Sequence, residues 1–146
     1  EQGYLHYEIS NYAKPGRECR HNLGYWQRRD YLGFGLGAST LLNPVRYKNT
    51  EDLEAYLGGD FSKKEFFVLT KDNQIEETMF LGLRVLEGVS KEKFREQFSC
   101  ELRVVYRKEL EKLEQEGLLE EEGDFVRLTS RGIDLSNPVL AEFLLS

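Results

Sequence analysis

The chain has 146 residues, about 40% hydrophobic, with 20 basic and 26 acidic side chains. That suits one globular unit, or two small ones, able to bury a core without covalent staples. No apolar run nears the ~20 residues of a membrane span, and no basic-then-apolar leader is present. Cys19 and Cys100 are too few for a disulfide framework and too isolated for a zinc site, so a reducing cytoplasm is expected. The chain begins Glu1-Gln2 in strand-like sequence and reads as a piece of a longer protein. The net charge of −6 falls wholly on residues 58–146. Between Asn11 and Arg29, by contrast, Lys14, Arg17, Arg20, Arg28 and Arg29 face one acid, Glu18, a basic patch suited to an anion.

In chain order, Leu5, Tyr7 and Ile9 alternate with Tyr4, His6, Glu8 and Ser10, which predicts one strand over 4–12 with the second set on its polar face. Residues 13–24, with Pro15-Gly16 and Gly24, read as a loop. The stretch 31–40 (YLGFGLGAST) reads as a strand in which Gly33, Gly35 and Gly37 leave one face bare. Asn43-Pro44 predicts a turn, and residues 49–52 open a short helix over Leu53, Tyr56 and Leu57. Gly58-Gly59 ends that helix and marks a linker at 58–65.

Asn73 followed by Glu76 predicts a capped helix through Ile75, Met79, Leu83 and Leu86, stopped by Gly88. Ser90 opens a helix that buries Phe94 and Phe98. Leu102, Val105, Tyr106, Leu110 and Leu113 form one apolar stripe, predicting a single helix over 101–116. Residues 118–122 and 125–129 predict a hairpin. Asn137-Pro138 starts a last helix that buries Leu140, Phe143 and Leu144.

The fold class expected is α+β, with residues 66–146 a winged-helix-like, α-rich domain carrying a β-hairpin. DNA binding is not expected of it. From Glu101 onward there are 6 basic and 11 acidic residues, and the wing reads Glu120-Glu121-Glu122-Gly123-Asp124, which would repel phosphates.

Four segments are more specific: YEISNYA (7–13), KPG (14–16), RHNLGYW (20–26) and GFGLGAS (33–39). Together with EETMFLGLRVLEGV (76–89) and LTSRGIDLSNPVLAEFL (128–144), they resemble the oxygen-independent coproporphyrinogen III oxidase-like family of radical S-adenosylmethionine proteins. The element His21-Asn22-x-x-Tyr25-Trp26 is most similar to its haem-chaperone branch. The resemblance implies that residues 1–57 end a partial (β/α) barrel and that the parent binds haem or porphyrin and delivers haem to acceptor proteins. The alternatives are a coproporphyrinogen III oxidase of porphyrin biosynthesis and a non-catalytic docking or lid module. The family's CxxxCxxC motif, which holds a [4Fe–4S] cluster that cleaves S-adenosylmethionine, is absent here, so cluster and cosubstrate are expected only in a parent with its N-terminal barrel. Many relatives read GAH where this chain has Gly37-Ala38-Ser39.

The residues carry a haem reading of their own. Imidazole is the commonest axial ligand, which makes His21 the candidate metal ligand. Arg17 and Arg20 could pair with propionates, and Asn22, Tyr25 and Trp26 complete the candidate haem-binding set. The competing reading is a loop fastened to the body by a locally bonded His21. Tyr7, Glu8, Gly33, Gly35 and Gly37 are candidate cofactor contacts, the glycines serving either ligand approach or tight packing. His6 beside Glu8 could face a barrel interior or sit half-exposed on a strand. Arg84 is expected to bond carbonyls or a carboxylate across a domain interface.

Overall fold

Hydrogen bonding local to the sequence sets most of the elements in the computed structural model, which describes residues 3–145. Its strands are β1 (Leu5–Glu8), β2 (Asn11–Ala13), β3 (Ser39–Leu42), β4 (Val45–Asn49), β5 (Lys63–Val68), β6 (Val89–Ser90), β7 (Leu119–Glu122) and β8 (Phe125–Leu128). Its helices are α1 (Arg20–Trp26), α2 (Leu53–Leu57), α3 (Lys71–Gly82), α4 (Lys91–Phe98), α5 (Leu102–Val105), α6 (Arg107–Gln115), α7 (Ser130–Asp134) and α8 (Ser136–Ala141). The class is mixed α and β. Among the described residues every strand pair is antiparallel and the three sheets, β1-β2, β3-β4-β5 and β6-β8-β7, stay open. The parallel pairing of barrel strands is not made among them.

The chain divides into two compact units, Glu1–Arg28 with Ile75–Ser146, and Arg29–Gln74. Residues 58–65 lie inside the second of these units. Residues 63–68 are β5, which pairs with β4 from Asn49↔Lys63 to Val45↔Val68. Every residue of β5 is exposed, so it shows no alternation of buried and exposed positions to reveal it.

In the first unit, the single strand expected over 4–12 is a hairpin. One carboxylate oxygen of Glu8 accepts the Ser10 N–H and the Asn11 side-chain amide, which turns the chain back at Ile9-Ser10. Glu8 becomes fully buried while Leu5 is exposed, the reverse of the faces read from alternation. The loop expected at 13–24 ends early, because α1 begins at Arg20. That helix buries no residue completely and so leaves no periodic trace in the sequence.

Helix α3 is capped three residues before Asn73. The Thr70 hydroxyl accepts the Asn73 N–H at 3.2 Å, and Asn73 Oδ1 accepts the Thr70 N–H at 3.3 Å. Thr70 is thus the capping residue and Asn73 its reciprocal partner. The helix ends at Gly82, six residues before Gly88, and tight turns follow.

Ser90 caps α4 as expected, its hydroxyl accepting the Lys93 N–H, and Phe94 and Phe98 are buried with ring centroids 4.9 Å apart. The helix expected over 101–116 is broken at Tyr106, where φ −115° and ψ 33° separate α5 from α6. The Tyr106 hydroxyl explains the placement of that ring, since it donates to the Phe143 carbonyl at 2.9 Å inside the core. Tyr106→Phe is expected to lower stability by about 1–2 kcal/mol in urea unfolding, because it strands a buried carbonyl.

The expected hairpin forms as β7-β8, with Glu122↔Phe125 closing it. Helix α7, capped by Thr129 accepting the Gly132 N–H, has no counterpart in the sequence reading. Helix α8 starts at Ser136, so Pro138 is its third residue, and it buries Val139 and Leu140 with Phe143 beyond. Leu144 is exposed. The core of this unit runs from Ile75, Met79 and Leu83 through Phe94, Leu102, Tyr106, Leu110 and Leu113 to Val126, Leu140 and Phe143.

The second unit is small and leaves much apolar surface in water. Asp52 caps α2 by accepting the Ala55 N–H at 3.0 Å. Asn43-Pro44 joins β3 to β4. Residues 31–38 form a pinned loop instead of a strand, with one bridge at Tyr31↔Leu41. Gly35 and Gly37 have φ of 96° and 65°, which side-chain-bearing residues avoid.

Candidate functional site

Helix α1 gathers the candidate haem residues. His21 and Tyr25 are four positions apart, so they share one face. Their rings meet edge-on with centroids 4.6 Å apart, and both are exposed. Arg17 and Arg20 are exposed beside them, and Asn22 is half-buried. An exposed imidazole with an aromatic edge and two guanidinium groups in the adjoining sequence can offer an axial nitrogen and carboxylate partners to a flat dianionic ring.

Trp26 is placed differently. It is half-buried, and the Arg84 guanidinium stands 4.6 Å from its ring centroid. Arg84 thus meets an aromatic face where a carbonyl or carboxylate was expected. Arg28 leaves the basic patch altogether. It is buried, and its Nε donates to Glu77 Oε2 at 3.0 Å. The sequence reading missed Arg28, Glu77 and Arg84 as a group that holds α1, since nothing local marks pairs so far apart along the chain.

Tyr7 and Glu8 lie on β1. The Tyr7 carbonyl accepts the Leu86 N–H at 3.1 Å, and Glu8 Oε2 is sealed from water with no hydrogen-bond partner among the described residues. His6 stacks on Tyr12 at 4.3 Å, with Nε2 3.2 Å from the Ile9 carbonyl.

In the second unit the glycine loop is held by Asn49, whose amide donates to the carbonyls of Gly33 and Gly35 at 3.2 and 2.8 Å. The Gly33 N–H donates to the Thr40 hydroxyl at 2.9 Å. A Cβ on Gly33 would lie 2.2 Å from the Ser39 carbonyl, so Gly33 serves close packing. Gly35 has open space around its Cα. Between these glycines Phe34 projects, 85% exposed.

The acids of the β7-β8 hairpin are engaged within the first unit. Glu120 and Glu122 pair with Arg127, and Glu121 pairs with Lys91 and Arg103 at 2.9 and 2.7 Å. Partial burial opposes ionisation of Glu121, but hydrogen bonds from Lys91 and Arg103 hold its pKa below the ordinary value. Asp124 is also lowered, by the Ser90 hydroxyl and the Glu92 N–H at the start of α4. A lowered folded-state pKa adds stability above the unfolded-state value of about 4 and loses it as pH falls through the folded value. Asp124→Asn is therefore expected to be less stable than the parent at pH 7. The gap should close as thermal melts are taken down through the lowered folded-state value, below the ordinary carboxylate range.

Comparison with known proteins matches residues 69–135 to the family described as HemN C-terminal domain. A protein of Lactococcus lactis named haem chaperone HemW is 41% identical over 99% of the chain and 39% of its own length. Its counterpart in Bacillus subtilis is 38% identical over 97% of the chain and 38% of its own length. The chain thus spans about two fifths of the curated relatives it matches. A solved structure of coproporphyrinogen III oxidase (HemN) from Escherichia coli, titled a radical SAM enzyme, superposes with a TM-score of 0.71. That match has 18% identity and covers 97% of the chain and 37% of the enzyme. Residues 69–135 thus match the HemN C-terminal domain family, and proteins named haem chaperone HemW are homologues of the chain along nearly its whole length.

Proposed function

We propose that this chain is the C-terminal part of a haem chaperone of the radical S-adenosylmethionine type, which binds haem and delivers it to acceptor proteins in the cytoplasm. The observation that carries the reading is the 41% identity, over 99% of the chain, to a relative named haem chaperone HemW. The geometry of α1 supports it: His21 would supply the axial nitrogen, Tyr25 an apolar edge, and Arg17 and Arg20 the propionate contacts. Bound haem would supply the chromophore and cargo. The chain's own residues bind it, orient it and present it at an exposed face.

A [4Fe–4S] cluster does not fit this chain. It has two cysteines, and no group of three His, Cys, Asp or Glu among the described residues could hold a metal ion. Cluster and S-adenosylmethionine are assigned to the barrel of the longer protein. In this reading residues 1–57 complete that partial barrel and residues 66–146 are the winged-helix-like domain. The rest of the barrel would cover Phe34, Phe61, Phe66 and Phe67, all exposed here. No helix among the described residues is long and apolar enough to cross a membrane.

The fold likeness to coproporphyrinogen III oxidase favours a second reading, oxidative decarboxylation in porphyrin synthesis by the longer protein. One experiment separates the two. The longer protein, loaded with haemin, is expected to pass haem to apomyoglobin faster than haemin is released without an acceptor. It is also expected to form no protoporphyrinogen from coproporphyrinogen III. Turnover well above a cluster-free control would replace the chaperone with the oxidase.

A further inference from the structure

Helix α1 has little to hold it by itself. It is seven residues long, its N-cap Cys19 makes no side-chain cap, its ends carry no acid or base to oppose the helix dipole, and it fully buries none of its residues. Isolated helices of that length do not persist in water. What fixes its position must come from outside it.

Two charged contacts do so, both at its C-terminal end. Arg28, two residues past the helix, is buried against Glu77 of α3. Trp26, its last residue and the only tryptophan in the chain, is gripped by Arg84 at 4.6 Å from the ring centroid. Trp26 Nε1 and Arg84 Nε are both sealed from water, and neither has a hydrogen-bond partner among the described residues. A cation over an indole face is strongest when desolvated in this way. Arg84 is itself anchored, because its carbonyl accepts the Ile9 N–H at 2.9 Å and the nearby Leu86 N–H donates to Tyr7. The turn after α3 is thus tied to β1, and Arg84 reaches from that fixed point to α1.

We infer that Arg84 is a positioning residue. By gripping Trp26 it sets the orientation of α1 and, through it, the His21–Tyr25 face. The consequence for haem rests on the proposed function; the grip on the helix does not.

The test is made on the chain as it stands, with Arg84→Gln, Arg84→Lys and Trp26→Phe. None of these residues belongs to the packed core of the first unit, so all three variants are expected to keep a cooperative melt. Because Trp26 is the single tryptophan, its emission reports on the grip alone. Arg84→Gln is expected to shift that emission to the red and to increase quenching by acrylamide, while Arg84→Lys restores most of the original signal. Haemin affinity should fall about tenfold in Arg84→Gln, equivalent to about 1.4 kcal/mol. Trp26→Phe should lose a similar amount, with little further loss when the two are combined.

Unchanged emission in Arg84→Gln would overturn the grip. A red shift with unaltered haemin affinity would overturn the positioning role. Should the parent chain bind no haemin while the red shift appears, the haem assignment fails and the hold on α1 stands. If Arg84→Gln does not fold, the comparison of Arg84→Lys with Trp26→Phe decides: equal, additive losses contradict the inference.

Discussion

Gly132→Ala is expected to cost about 3 kcal/mol or more in urea unfolding, although alanine is the better helix former by about 1 kcal/mol. The reason is a backbone contact. A Cβ on Gly132 would stand 1.9 Å from the Leu118 carbonyl oxygen and 3.2 Å from Leu128 Cδ2. That carbonyl already accepts the Thr129 N–H at 3.1 Å, and the Thr129 hydroxyl caps α7, so neither backbone can retreat without breaking the cap or the start of the hairpin. Gly123→Ala is the control. Gly123 has φ 59°, but nothing lies within 4 Å of its Cβ position, so only the backbone penalty of about 1 kcal/mol is expected. Equal losses at the two sites would show that α7 does not pack against Leu118 as described.

The second large effect is an asymmetry in the Arg28–Glu77 pair. The Arg28 side chain is 2% accessible and that of Glu77 is 23% accessible. Removing Glu77 takes away a carboxylate partner from a guanidinium that cannot reach water. Removing Arg28 leaves a carboxylate that can. Glu77→Met is therefore expected to destabilise by about 3 kcal/mol and Arg28→Met by about 1 kcal/mol. The double replacement should lie close to Arg28→Met alone, since two apolar side chains leave no stranded charge. A Glu77→Met variant as stable as the parent would mean that the guanidinium is not buried against it.

The contrast between what could be read from the sequence and what could not follows the range of the interactions. Ser90 with Phe94 and Phe98, Asp52 ahead of α2, and the β7-β8 hairpin are each set within a few residues, and each was legible. Glu8 shows the opposite. Its alternation with Tyr7 and Ile9 pointed it outward, yet its bonds to Ser10 and Asn11 make a turn and bring the carboxylate inside. Helix α1 escaped because it fully buries nothing, and β5 because it is exposed throughout. The helical stripe through Leu102 and Leu113 was correct about burial, but it could not reveal the break at Tyr106, where the ring hydroxyl reaches Phe143.

The candidate site shows the same division. Helical spacing explains why His21 and Tyr25 meet, once residues 20–26 are known to be helical. The five cations between Asn11 and Arg29 looked alike in the sequence, but burial removes Arg28 from the anion-facing group while Arg17 and Arg20 remain exposed. Trp26 was read as a member of the haem-binding set, and its ring meets Arg84. In the glycine run, Gly33 shows a packing requirement and Gly35 does not, a difference that spacing alone could not supply.

The central claim is that α1 offers His21 to haem iron. It is tested most directly by titrating the chain with haemin, with visible absorption as the readout and His21→Ala in parallel. The account predicts a saturable Soret shift in the parent chain that the variant loses, with both proteins showing the same thermal melt. A Soret shift of equal size and affinity in His21→Ala would contradict it.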